Sequence, residues 1–242
     1  MRLIFTHIAF WLCLPLSAAQ GLWLRRTAKR LPEATGKRIG VVGQGKQLQL
    51  LALGDSIIAG VGTVTIENSF PVQFARALAG SRNCEVNWQV AGENGADIAR
   101  LRQLASRFDK SQRADVILIS IGVNDVTGLS SKQHWTSQLQ GLLRDLECRW
   151  PTAHVILLGL PPMSRFPLLS NPLRFALGFR ASVFDTIAAR LVTGQANVVH
   201  VPTGTDPIHH EFCDDGFHPS AKACELRAEI LAQNLKSDTL TI

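Results

Sequence analysis

Asp115-Val116-Ile117-Leu118-Ile119-Ser120-Ile121, followed by Gly122-Val123-Asn124-Asp125, is the stretch whose reading decides the fold. Its apolar residues are nearly continuous instead of alternating, so a strand there is covered on both faces, as in a parallel sheet flanked by helices. Working outward, apolar strands are predicted at Leu48–Leu53 and Glu85–Ala91 before it, and at His154–Leu160 and Asn197–Val201 after it. Helical stretches separate them near Ser69–Ala79, Ala96–Phe108, His134–Arg149 and Pro172–Val192, with a last helix over Pro219–Leu235 that has Pro in its first turn. Five strand–helix alternations define a three-layer α/β/α sandwich around a parallel sheet. Such folds place their sites in loops at the carboxyl ends of the strands.

The chain has 242 residues, enough for one large domain with a sizeable core. Apolar residues make up 46% and charged residues 18%, a globular composition. The net charge of +6 is unevenly placed: residues 1–19 contribute +1 and residues 20–46 contribute +6, leaving −1 for residues 47–242. A neutral body speaks against nucleic acid as a partner.

Three regions follow: a hydrophobic segment over 1–24, a basic connector over 25–46 ending in Gly-rich turns, and the α/β domain over 47–242. Residues 3–24 carry no Asp, Glu, Lys or Arg. They read either as a secretory signal cleaved after Ser17-Ala18-Ala19 or as an uncleaved anchor with Arg25–Arg30 against anionic headgroups. The expected location is membrane-associated or exported (periplasmic or secreted), with the side of the membrane open. Gly40-Val41-Val42-Gly43-Gln44-Gly45 is no nucleotide loop, because it precedes a strand and opens no helix.

Four short words fall in order along the domain, and three of them directly follow strands. Ser56, in Gly54-Asp55-Ser56, is a candidate nucleophile; the tripeptide on its own favours a helix-cap or turn serine instead. Gly92 offers a backbone N–H unobstructed by a side chain. Asn124 offers an amide donor for a developing oxyanion. His218 is the candidate base, and Asp215, three residues earlier, can fix its tautomer. Asp55 and Asp125 are expected to brace their loops through backbone hydrogen bonds. The chain has no Tyr, which excludes a phenolic base or donor. His209, His210, Glu211, Cys213, Asp214 and His218 crowd together but lack paired-ligand spacing, so no metal site is expected. Five cysteines give no disulfide framework; Cys213 and Cys224 read as small buried hydrophobes, with a bridge between them conceivable after export. Phe166, Leu168, Leu169, Phe175 and Phe179 suggest an apolar loop over the site, suited to an acyl chain.

These words together resemble the SGNH (GDSL) hydrolase superfamily of esterases and lipases, over roughly Leu48 to Leu235. The matching blocks are Gly54-Asp55-Ser56 with Gly60, Gly92, Gly122-Val123-Asn124-Asp125, and Asp215-Gly216-Phe217-His218-Pro219. Leu31-Pro32-Glu33-Ala34 and Leu160-Pro161-Pro162-Met163 look like a bacterial subgroup. The resemblance implies a flavodoxin-like fold with five parallel strands and no cofactor. It implies catalytic Ser56, Asp215 and His218, with an oxyanion hole of Ser56 N–H, Gly92 N–H and the Asn124 amide. The expected activity is hydrolysis of carboxylic esters, lysophospholipid or other acyl esters, through an acyl-serine. The partner is then a small-molecule or lipid ester, acted on by a monomer with membrane association through the N-terminal segment. A deacetylase of cell-envelope carbohydrate and a non-catalytic membrane-tethered binding module are the alternatives.

Overall fold

The computed structural model describes residues 2–109, 111–203 and 212–235, with side chains from residue 15 onward. Six strands form one sheet: β1 (Ile39–Gly43), β2 (Lys46–Gly54), β3 (Cys84–Gly92), β4 (Val116–Ser120), β5 (His154–Leu158) and β6 (Val198–Val201). Their spatial order is β1-β3-β2-β4-β5-β6, with β2 to β6 parallel and β1 antiparallel to β3. The five parallel strands match the expected ones. The antiparallel edge strand β1 lies where Gly-rich turns were expected, and corrects that reading.

The helices are α1 (Arg2–Thr27), α2 (Ser56–Ala59), α3 (Phe70–Arg82), α4 (Ile98–Ser106), α5 (Val123–Thr127), α6 (Lys132–Arg149), α7 (Leu173–Val192) and α8 (Ala221–Asn234). Strand β4 shows why its sequence is apolar throughout. Val116 and Leu118 point into the layer containing Phe74 and Leu78 of α3 and Ala228 and Leu231 of α8. Ile117 and Ile119 point into the opposite layer, with Leu101 of α4, Trp135 and Leu139 of α6 and Phe184 of α7. All four strand residues are wholly buried. The indole N–H of Trp135 is satisfied by the Phe184 carbonyl at 3.1 Å, and the two rings stack.

Helix starts follow cap chemistry. Asp97 accepts from Arg100 N–H, Ser131 from His134 N–H and Ser220 from Ala223 N–H. The Ser220 cap puts Pro219 outside α8 instead of in its first turn; Pro219 makes an isolated bridge to Phe212.

The end of α1 rests on the domain. Gln20 donates to Ser170 Oγ and the Asn171 carbonyl and accepts from Leu173 N–H, while Arg25 donates to the Thr127 carbonyl. Among the described residues, no helix is long and apolar enough to cross a membrane.

Candidate active site

Sheet register assembles three of the four words. Gly54, ending β2, pairs with Gly92 of β3 on one side and Ser120 of β4 on the other. The strand order reverses between β3-β2 and β2-β4, the switch point where open α/β sheets bind ligands. Ser56 therefore emerges from the central strand, with Gly92 and the Gly122–Asn124 turn on either side.

Asp55, not Ser56, caps α2: its Oδ1 accepts from Ile57 N–H at 3.2 Å and from Ser120 Oγ–H at 3.2 Å. This removes the cap reading of Ser56. Ser56 is the first helical residue, 8% exposed, and its hydroxyl makes no hydrogen bond to any described residue. Burial pushes the Asp55 carboxyl up to about 7, against the pull of the Ile57 and Ser120 hydrogen bonds. Asp125 is also wholly buried. It accepts from Ile98 N–H at 3.1 Å and Ser130 Oγ–H at 3.4 Å, and burial raises it to about 6. Both aspartates brace loops, as expected.

Gly92 admits no side chain. A Cβ there would stand 2.6 Å from Ile58 C and against Ala59 N, the backbone of α2. Gly122 precedes α5 at φ +116°, where a Cβ would also meet Trp135 and Leu160. That turn sets Asn124, whose Nδ2 donates to the Ala96 carbonyl at 2.9 Å. An amide nitrogen carries two hydrogens, so one donor remains beyond that bond.

Asp215 and His218 form the pair their spacing suggests. His218 Nδ1–H donates to Asp215 Oδ2 at 2.6 Å, because an ionised carboxylate can only accept. Phe217 N–H and His218 N–H both donate to Asp215 Oδ1, at 2.9 and 3.0 Å. Burial acts to raise Asp215, but these three hydrogen bonds outweigh it and hold the carboxyl below its usual value. Nε2 is thereby left as the proton acceptor. The loop abuts the turn after Ser56: Cys213 Sγ–H donates to the Gly62 carbonyl, and a Cβ on Gly62 would lie 3.4 Å from His218 Cβ. Cys213 and Cys224 are both free thiols. Of the crowded His/Glu residues, His209, His210 and Glu211 lie outside the described residues; among those described, no group of His, Cys, Asp or Glu could hold a metal.

Asn124, Asp215 and His218 face one cavity of about 950 Å³; Ser56 and Gly92 stand at the adjoining strand ends and do not line it. Leu168 and Leu169 line this cavity as expected. Phe166 instead packs edge-on against Phe217 beneath it, and Phe175 and Phe179 point outward, 73% and 65% exposed, so they do not cover the site.

Two residues in the connector had no role assigned. Glu33 accepts from Asn94 N–H at 2.7 Å, holding the loop after Gly92, and pairs with Arg38. Arg38 donates to the Ala59 carbonyl at 2.9 Å, at the end of α2. Leu31-Pro32-Glu33-Ala34 was the available signal, but nothing in its residue types says what it touches.

Among functionally curated proteins, none matches the chain. Similar solved structures include the lipase Lip_vut3 from a goat rumen metagenome, with TM-score 0.65 and 23% identity over 77% of this chain and 96% of that one. An acetyl xylan esterase from Geobacillus stearothermophilus, in a variant form, aligns with TM-score 0.56 and 18% identity over 83% of this chain and 98% of that one. A family 2 carbohydrate esterase with a carbohydrate-binding domain, from Corynascus thermopiles (Myceliophthora fergusii), gives 0.57 and 19% over 83% and 68%. These likenesses establish the shared fold. Residues 52–226, most of the domain and all four words, match the GDSL-like lipase/acylhydrolase family. The chain thus belongs to that family, and is a carboxylic-ester hydrolase.

Proposed function

We propose that the chain hydrolyses esters of apolar acyl chains through an acyl-Ser56 intermediate. Ser56 Oγ attacks the ester carbonyl and His218 Nε2 takes its proton, while Asp215 holds the imidazolium that forms. The tetrahedral oxyanion is received by Ser56 N–H, Gly92 N–H and the remaining Asn124 amide hydrogen. Collapse expels the alcohol with the proton from His218. A water molecule then repeats the attack on the acyl-enzyme and frees the acid. The Ser56 hydroxyl is not committed to the fold, and serine–histidine hydrogen bonds commonly tighten only once substrate is bound.

The observation that carries the acyl preference is the cavity beside His218 and Asn124. Leu22, Leu24, Leu168, Leu169, Leu173 and Leu177 give it a mainly apolar wall, with Arg25, Lys29, Arg30 and Arg180 also on its lining, and an acyl chain is the occupant such a wall favours. A fluorophosphonate probe is expected to label wild type and to leave Ser56→Ala unlabelled, with p-nitrophenyl ester hydrolysis lost in the same variant. Labelling that persists in Ser56→Ala would remove Ser56 from the chemistry. Turnover confined to acetate esters would favour the carbohydrate deacetylase reading.

A further inference from the structure

The apolar cavity beside His218 has two walls of different origin. One belongs to the catalytic domain: Leu168 and Leu169 of the loop before α7, and Leu173, Ala176 and Leu177 of α7 itself. The other is the last part of α1, through Ala18, Gly21, Leu22 and Leu24. This segment lies outside the family match and, as sequence, reads as a signal or an anchor. Its seating is specific: Gln20 makes three hydrogen bonds to the chain around Ser170–Leu173, and Leu24 packs against the core layer of α4, α6 and α7. Small residues face the hollow, and a Cβ added to Gly21 would meet no atom within 4 Å. Away from the hollow the same helix leaves Leu16 and Trp23 more than half exposed, an apolar surface of the kind that meets other apolar groups.

We infer that α1 is the outer wall of the acyl-binding site, so that the N-terminal segment, with α7, determines which acyl chains the enzyme accepts. The occupant is the hydrocarbon chain of a medium- to long-chain ester, lying between Gly21 and Ala176 with its carbonyl toward His218 and Asn124. This assignment rests on the esterase reading of the site, and deepens it.

The test is a chain-length series of p-nitrophenyl esters, acetate to decanoate, on the full-length protein. Gly21→Leu puts a side chain into the hollow, and the decanoate-to-acetate ratio of kcat/KM is expected to fall about tenfold or more from wild type. Gly80→Leu, on α3, where an added Cβ also meets nothing, is expected to leave that ratio unmoved. Ala176→Phe fills the hollow from the opposite wall and is expected to act in the same direction as Gly21→Leu, which covers the case in which a Gly21 variant does not fold. Ratios unchanged in both filled variants, with Ser56 still labelled by fluorophosphonate, would overturn the inference while leaving the esterase standing. So would a wild type that cleaves acetate and no longer ester. A wild type that is neither labelled nor active on any ester overturns the catalytic reading instead.

Discussion

Asp55 and Asp215 carry the same side chain in opposite electrostatic settings. Asp215 receives three hydrogen bonds, one from the His218 ring, and is held in its ionised form. Asp55 is buried with fewer donors, and burial raises it to about 7. A carboxyl whose value is raised in the fold favours the protonated state, so its stabilising contribution is complete below about 4 and is lost as pH rises to about 7. Wild type is therefore expected to lose stability between pH 5 and pH 8, read as a falling urea midpoint. Asp55→Asn keeps an oxygen for Ile57 N–H and Ser120 Oγ–H but does not titrate, so its midpoint should fall less over that range. Some slope should remain, because Asp125, raised to about 6, acts in the same direction. An Asp55→Asn profile parallel to wild type would show that Asp55 does not set the trend. The bracing roles of these aspartates were legible in the sequence, since an Asp beside a strand-end turn has backbone N–H groups within reach. Their raised values were not, because burial depends on residues far away in the chain.

Among elements, legibility followed how many faces the fold covers. Strand β4 is enclosed on both faces and so is apolar at every position, which fixes strand and layers together. Strand β1 is an edge of five residues, two of them Gly, with Ile39 and Val41 exposed at 61% and 56%. Such a pattern is indistinguishable from a glycine-rich turn until β3 is seen to pair with it. Phe175 and Phe179 misled for the converse reason: aromatic residues on the outer face of α7 look the same in sequence as inward ones. The close contact of β3 with α2 makes a further prediction. A Cβ at Gly92 would press on Ile58 and Ala59 backbone atoms, which cannot rotate aside as a side chain would. Gly92→Ala should therefore displace the helix that carries Ser56. A shift of about 1 Å can cost roughly 10²-fold in rate, so kcat for p-nitrophenyl esters should fall by about that factor while the protein stays folded by circular dichroism. Near-normal kcat would mean that α2 tolerates the added atom without moving Ser56.

Across the whole molecule, the connector's charge proves to be partly structural. Residues 20–46 carry a net charge of +6, and the sign of a charge carries no record of what it touches. Arg38 in fact bonds the Ala59 and Ala34 carbonyls and Glu33, and Glu33 in turn fixes Asn94 N–H beside Gly92. One guanidinium thus joins the region before the family match to both the helix that starts at Ser56 and the loop after Gly92, the proposed oxyanion donor. Arg38→Ala leaves two carbonyls and a carboxylate short of partners, in a partly buried setting where each such loss costs about 1 kcal/mol or more. Its Tm is expected to drop by about 2–4 °C or more, and kcat should fall with it, since Ser56 and Gly92 lose their shared brace. Arg113→Ala is the matched comparison: it breaks the exposed ion pair with Asp115, and such pairs contribute little, so neither Tm nor kcat should move appreciably. If Arg38→Ala lowers Tm but leaves kcat at the wild-type value, the connector stabilises the domain without positioning the site. If both variants behave alike, Arg38 is a surface charge like Arg113, and residues 31–38 have no part in holding the turns at Ser56 and Gly92 in place.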